Sequence, residues 1–381
     1  MKRFYVCAFL FLLFSAAPVF AADDVIKVGE IATVTGDFAA FGDAEVKALQ
    51  IAVEEINDAG GILGKKVEII MYDCRTRQED MVNAARRLVE QDKVSAVIGP
   101  SGSGLNIAAS PIFTKARVPH IGTMPTNPAV TVDENGKVRP YNFRICFIDP
   151  YVGQVVAHFA YRDLAKKKAA ILYDVSSDYS HGLRQYFTEE FKRLGGTIVA
   201  DEGYRGDDVD FRSQLTNIKN TDADIFYLPN MGKAPALIMK QAKEMGMNIT
   251  FIGGDGYGDF WWEIAGDAIE GSYWMSHVAP DDDALQGFFA KYEKKFGTEC
   301  KEFMNAVTAY DSLYWLKDAI ERAGSDDPIK IRDALEQTKD LKLMHASITM
   351  DEFHNPKNKD CIVLELKDEK AVFFKRVNAG E

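Results

Sequence analysis

Cysteine is scarce in this chain, five in 381 residues, and no two stand in a CxxC pair. Zinc binding and thiol redox chemistry therefore have little to stand on. The six histidines are scattered, with no pair at metal-ligand spacing. Basic charge is also thin: 45 Lys and Arg against 57 Asp and Glu leave a net charge of −12, and the only basic run is the short Lys166-Lys167-Lys168. Nucleic-acid binding needs a basic face, so no nucleic-acid partner is expected, and an anionic membrane surface is equally poorly served. Beyond the first 21 residues nothing approaches the roughly 18 consecutive apolar residues of a membrane span. Catalytic signatures are missing as well. Gly60-Gly61-Ile62-Leu63-Gly64-Lys65 is too short for a P-loop and runs on to Lys66 rather than Ser or Thr. The stretch Gly99-Pro100-Ser101-Gly102-Ser103-Gly104 lacks the flanking glycines of a nucleophile elbow. No catalytic residue, metal or cofactor is expected, and the chain reads as a non-enzyme.

What is present is a large core-forming composition, 47% hydrophobic and 27% charged, over a length that suits two domains. The first 21 residues stand apart. Lys2 and Arg3 precede an apolar run from Phe4 to Phe14, and Val19-Phe20-Ala21 offers small residues at a cleavage site. This reads as a secretory signal peptide cut after Ala21, so the mature chain is expected to be soluble and exported. Four cysteines then remain, Cys74, Cys146, Cys300 and Cys361, as a structural disulfide or as buried thiols.

From Val25 onward, short β-branched runs alternate with stretches of helical period. Val25 to Ile31 reads as a strand, and Val46, Leu49, Val53 and Ile56 fall on one face of a helix ending at Gly60-Gly61. Strands at Val67, Ala96 and His120, with helices at Gln78 and Asn106, complete a βαβαβαβ series, hence a parallel sheet with helices on both faces. After Asn142 to Ile148 a second series of the same kind runs to Val278, through a strand-like hinge expected around Ile148-Asp149-Pro150. The late helices, Ala284 to Phe296 and Phe303 to Ala323, arrive after both sheets look complete and should pack back on an earlier lobe. Two doubly wound lobes with a cleft between them follow, and ligands of such sheets bind outside the carboxyl ends of the strands.

The loops at those ends carry complementary charge. Ser101-Gly102-Ser103-Gly104 and Thr123-Met124-Pro125-Thr126 put hydroxyls at helix starts, where free amides suit a carboxylate. Gly253-Gly254-Asp255-Gly256-Tyr257 sets an acid among glycines, able to approach a cation closely. Together they describe a receptor for a zwitterion.

Several segments resemble the branched-chain amino acid class of periplasmic substrate-binding proteins: Gly29 to Gly36, Ala52 to Gly64, Val97 to Pro100, Phe143-Arg144, Asp178 to Gly182 and Tyr310-Asp311. The resemblance runs from Val25 to about Phe374. It implies a type I periplasmic binding fold, two doubly wound parallel-sheet lobes joined by a multi-strand hinge, with 22–147 and about 279–347 in one lobe and 148–278 and about 348–381 in the other. It further implies an extracytoplasmic receptor, monomeric, that delivers an amino acid to the membrane permease of an ABC importer; a sensor that passes occupancy to a signalling partner is the alternative. By match of position, Ser103 and Thr126 would hold the ligand carboxylate, Met124 would add a backbone contact, Tyr179 would be the aromatic of the second lobe, and Asp255 would receive the ammonium. Pro229-Asn230 and Met231 stand where leucine binders carry Gly-Gly-aromatic, and Phe41 stands for a Tyr. With Tyr257, these complete a pocket wall of Phe41, Met124, Tyr179, Met231 and Tyr257, suited to an aliphatic or aromatic side chain.

Overall fold

The computed structural model describes residues 25–357 and 359–377. The expected leader, with Cys7, lies outside them. The first half of the chain alternates strand and helix: β1 (Val25–Ala32), α1 (Ala39–Asp58), β2 (Lys66–Asp73), α2 (Gln78–Arg87), β3 (Ala96–Ile98), α3 (Ser103–Ala116), β4 (His120–Gly122) and β5 (Asn142–Arg144). The five strands form one sheet in the order β2-β1-β3-β4-β5, every pair parallel. Both faces of such a sheet are covered, so β3 is buried at all of Ala96, Val97 and Ile98.

The second half continues with α4 (Asp149–His158), β6 (Lys168–Asp174), α5 (Asp178–Arg193), β7 (Thr197–Tyr204), α6 (Arg212–Lys219), β8 (Ile225–Leu228), α7 (Ala234–Glu244), β9 (Thr250–Gly253), α8 (Trp261–Ala265) and β10 (Tyr273–Ser276). Then come α9 (Asp283–Phe296), α10 (Phe303–Ala323), α11 (Pro328–Glu336), the short strands β11 (Leu341–Lys342) and β12 (Ser347–Ile348), and finally β13 (Cys361–Lys367) and β14 (Lys370–Val377). The second sheet runs β14-β13-β10-β9-β8-β6-β7, with β13 and β14 antiparallel to their neighbours. The late helices return to the first sheet, where α10 lies along α1 and α11 lies along α10. The chain thus passes between the two sheets after β5, after β10 and again between β12 and β13.

Three boundaries differ from the sequence reading. Asn142–Arg144 is a fifth strand of the first sheet rather than the lead into the second. The expected hinge at Ile148-Asp149-Pro150 falls instead on the first turn of α4, where a proline without an N–H costs nothing; the crossing itself is 145–148. Helix α3 starts three residues before the expected Asn106, which puts Ser103 in its first turn. All four cysteines among the described residues are buried free thiols, and burial pushes Cys74, Cys146 and Cys300 up to about 12. They are therefore protonated and inert.

Candidate ligand-binding cleft

On the first-sheet side the site grows from the turn between β3 and α3. Gly102 sits at φ +102°, a conformation that only glycine adopts without strain, and this lets the chain turn sharply into α3 with no side chain capping its end. The opening amides of a 14-residue helix are then available to an anion. Ser103, buried at that end, accepts a hydrogen bond from the Asn127 N–H at 3.1 Å. Thr126 is fully buried, with its hydroxyl beside the Asp149 carboxyl. Burial pushes Asp149 up to about 8, with the Thr126 hydroxyl opposing the shift.

On the second-sheet side Asp255 follows β9 and is buried. The Tyr179 hydroxyl donates to its Oδ1 at 2.9 Å, and His277 Nε2 lies 2.9 Å from its Oδ2. A Cβ at Gly254 would stand 2.4 Å from Leu183 Cδ1 and 2.8 Å from the Tyr179 hydroxyl, so a side chain there would push on the group that holds Asp255. His277 is stacked on Phe147, ring centres 3.7 Å apart, and burial holds its imidazole well below the ordinary value. It is therefore neutral, and the contact is a hydrogen bond from the Nε2–H tautomer rather than an ion pair. Asp255 itself is raised to about 6, chiefly by burial, with the Tyr179 hydrogen bond opposing the shift.

The two sides meet around two spaces. The inner one, about 10 Å³, is walled by Phe41, Ser101, Met124, Tyr179, Met231 and Asp255, with Gly256 and Asn305. The outer one, about 290 Å³, includes Ser103, Gly104, Asp37 and Asp178, and Tyr179 and Met231 border both. So five of the eight expected residues, Phe41, Met124, Tyr179, Met231 and Asp255, come together on the inner space and Ser103 on the outer. Thr126 borders neither space. Tyr257 also lines neither: it is packed edge-on against Trp261 and donates to Asp259 at 3.1 Å. The sequence reading missed Ser101 and Asn305 as lining residues and His277 as the second partner of Asp255. Ser101 stood in a loop already noted for its hydroxyls, whereas Asn305 carries no local signal inside the long α10 pattern.

The sequence profile of the periplasmic binding protein family matches residues 25–371. The chain belongs to that family. This periplasmic binding protein is 30% identical over 340 residues to the Leu/Ile/Val-binding protein BraC3 of Rhizobium johnstonii, covering 88% of this chain and 89% of that one. Among solved structures it is similar to the leucine binding protein LivK of Thermotoga maritima, with a TM-score of 0.85 and 33% identity over 93% of this chain and 99% of that one. It is also similar to the substrate binding protein LivJ of Streptococcus pneumoniae in complex with isoleucine, with a TM-score of 0.86 and 31% identity over the same shares of each chain. The family consists of solute receptors of ABC transporters and not of enzymes. Among the described residues no three His, Cys, Asp or Glu gather as a metal site, and no helix is long and apolar enough to cross a membrane.

Proposed function

We propose that this chain is an exported periplasmic receptor that binds a neutral α-amino acid between its two sheets, closes on it, and presents it to the permease of an ABC importer. The observation that carries this reading is the opposition of two incomplete charge sites across one cleft. Asp255 offers a buried carboxylate on one side, while the uncapped start of α3, with Ser103, offers donors on the other. A zwitterion satisfies both at once. The relatives that bear the names of leucine, isoleucine and valine support the amino-acid class. Phe41, Met124 and Met231 supply apolar surface for the stem of the side chain. The remaining parts of the reading are cleavage after Ala21, a monomer in the periplasm, and lobes of 22–147 with about 279–347 and 148–278 with about 348–381. Mass spectrometry of the small molecule released when the purified protein is denatured tests the function directly. An α-amino acid near one per chain supports it, and a bound molecule without an ammonium group refutes it.

A further inference from the structure

The inner space has a polar floor that the ligand backbone does not use. Ser101 and Asn305, both buried, line it from the first-sheet side, facing Phe41, Met124 and Met231. Behind them lies Glu45 of α1, also buried, whose Oε1 accepts from the Ser101 hydroxyl at 2.5 Å and from the Thr123 hydroxyl at 2.7 Å. With Glu45 accepting from both hydroxyls, neither points its proton into the inner space. The Ser101 proton is spent on Glu45, so Ser101 presents lone pairs, and Asn305 donates to it through Nδ2 at 2.9 Å. The amide of Asn305 is thereby oriented, and its carbonyl Oδ1 takes no hydrogen bond among the described residues. The same amide also hydrogen-bonds Glu45, so what Asn305 turns to the space is its acceptor oxygen. Glu45 is not itself part of the wall, and the carboxylate that is, Asp255, is the one assigned to the ligand ammonium.

We infer that Asn305 and Ser101 determine the ligand class: the bound amino acid has a short apolar stem against Phe41, Met124 and Met231 and a neutral hydrogen-bonding tip, a hydroxyl or a carboxamide, against Asn305. The inference rests on the reading of this cleft as an α-amino acid site. An aliphatic tip would cover the Asn305 carbonyl without pairing it, and a desolvated unpaired acceptor selects strongly against the analogue that lacks the hydrogen bond. An acidic tip would face the unpaired carbonyl with the buried carboxyls of Glu45 and Glu30 behind it. A basic tip would find no acceptor charge in the floor, because the near oxygen of Glu45 is already shared by two hydroxyls.

The test is a calorimetric panel on the full mature chain, stripped of ligand by unfolding and refolding, with isosteric pairs as probes: threonine against valine, and glutamine against methionine. At least one polar member should bind tenfold or more tighter than its apolar partner, and Asn305→Ala should bring that ratio down to about two or less. Ser101→Ala, which disturbs the orientation of the same amide, should reduce the ratio too, and needs no fold change in a helix. Valine, leucine or methionine binding the native chain as tightly as every polar amino acid overturns the side-chain inference while leaving the amino-acid reading intact. If no α-amino acid binds at millimolar concentration, the reading of the cleft fails and takes this inference with it.

Discussion

At Asp255 burial and hydrogen bonding pull in opposite directions, and burial wins, leaving an acid that titrates near 6 in the protein without ligand. An ammonium needs the ionised form, and bound ammonium would lower this value further. Affinity should therefore be flat from pH 7 to 8 and should fall as pH drops through about 6, by up to about tenfold per unit. Asp255→Asn should weaken amino-acid binding by about 2 to 5 kcal/mol and flatten that profile, because a desolvated ammonium loses its counter-charge. Calorimetry across pH 5 to 8 checks both, and a native-like pH profile in the variant would remove Asp255 from the site. On the opposite side, Ser103→Ala and Thr126→Ala should each cost about 1 to 3 kcal/mol of binding. Unchanged affinity in Thr126→Ala would remove that hydroxyl from the site. Asp255 was legible in the sequence because glycines on both sides after a strand mark a close approach. His277 and Asn305 were not, since each acts through a side-chain bond to a distant residue, 22 positions away for His277 and Asp255 and 204 for Asn305 and Ser101.

Elements were legible where periodicity is long and misjudged where a turn residue decides. The helix Phe303–Ala323 shows its pattern over 21 residues, and its bounds match the sequence reading. The start of α3 is set instead by Gly102 at positive φ and by Asn106, whose side-chain amide donates to the carbonyls of Pro100 and Gly102 at 2.9 and 2.8 Å. Periodicity carries neither signal. The opening elements β1 and α1 also place two acids, Glu30 and Glu45, inside the first lobe. Burial, and then the neighbouring Glu45, push Glu30 up to about 8 from 4.5. Below pH 4.5 both native and unfolded chains hold this proton and folding costs nothing extra. As pH rises from 4.5 to 8 the unfolded chain ionises while the native one does not, so this group destabilises the fold progressively, by on the order of 3 kcal/mol at neutral pH. Glu30→Gln should gain stability relative to the native chain as pH rises from 5 to 7.5. Urea unfolding at the two pH values checks this, and parallel losses in both proteins would contradict it.

For the whole molecule, affinity should depend on contacts that join the two sheets across the cleft. The Asp259 N–H donates to Glu302 Oε1 at 3.0 Å, the Asn127 side chain donates to the Asp178 carbonyl at 2.7 Å, and the rings of Phe41 and Phe260 meet at 5.8 Å. These join residues carried by different sheets, and a ligand held between them gains only the difference between open and closed states. Glu302→Ala should therefore speed ligand release by about tenfold with little change in the association rate. Stopped-flow kinetics on the full chain would show it, and a slowed association with unchanged release would contradict the closure account. The two-sheet organisation was legible from the repeated βα series. The route by which the tail returns twice was legible only in outline, because the antiparallel seat of β13 and β14 depends on which sheet edge is free.

The central claim is that one cleft grips both charges of an amino acid. It is tested most directly by titrating the ligand-stripped chain with the amino acid it binds best, beside that compound's deaminated acid and decarboxylated amine. Micromolar binding of the amino acid, about −8 kcal/mol, is expected, with each analogue weaker by a hundredfold or more. A deaminated analogue that binds as tightly as the amino acid itself would contradict it.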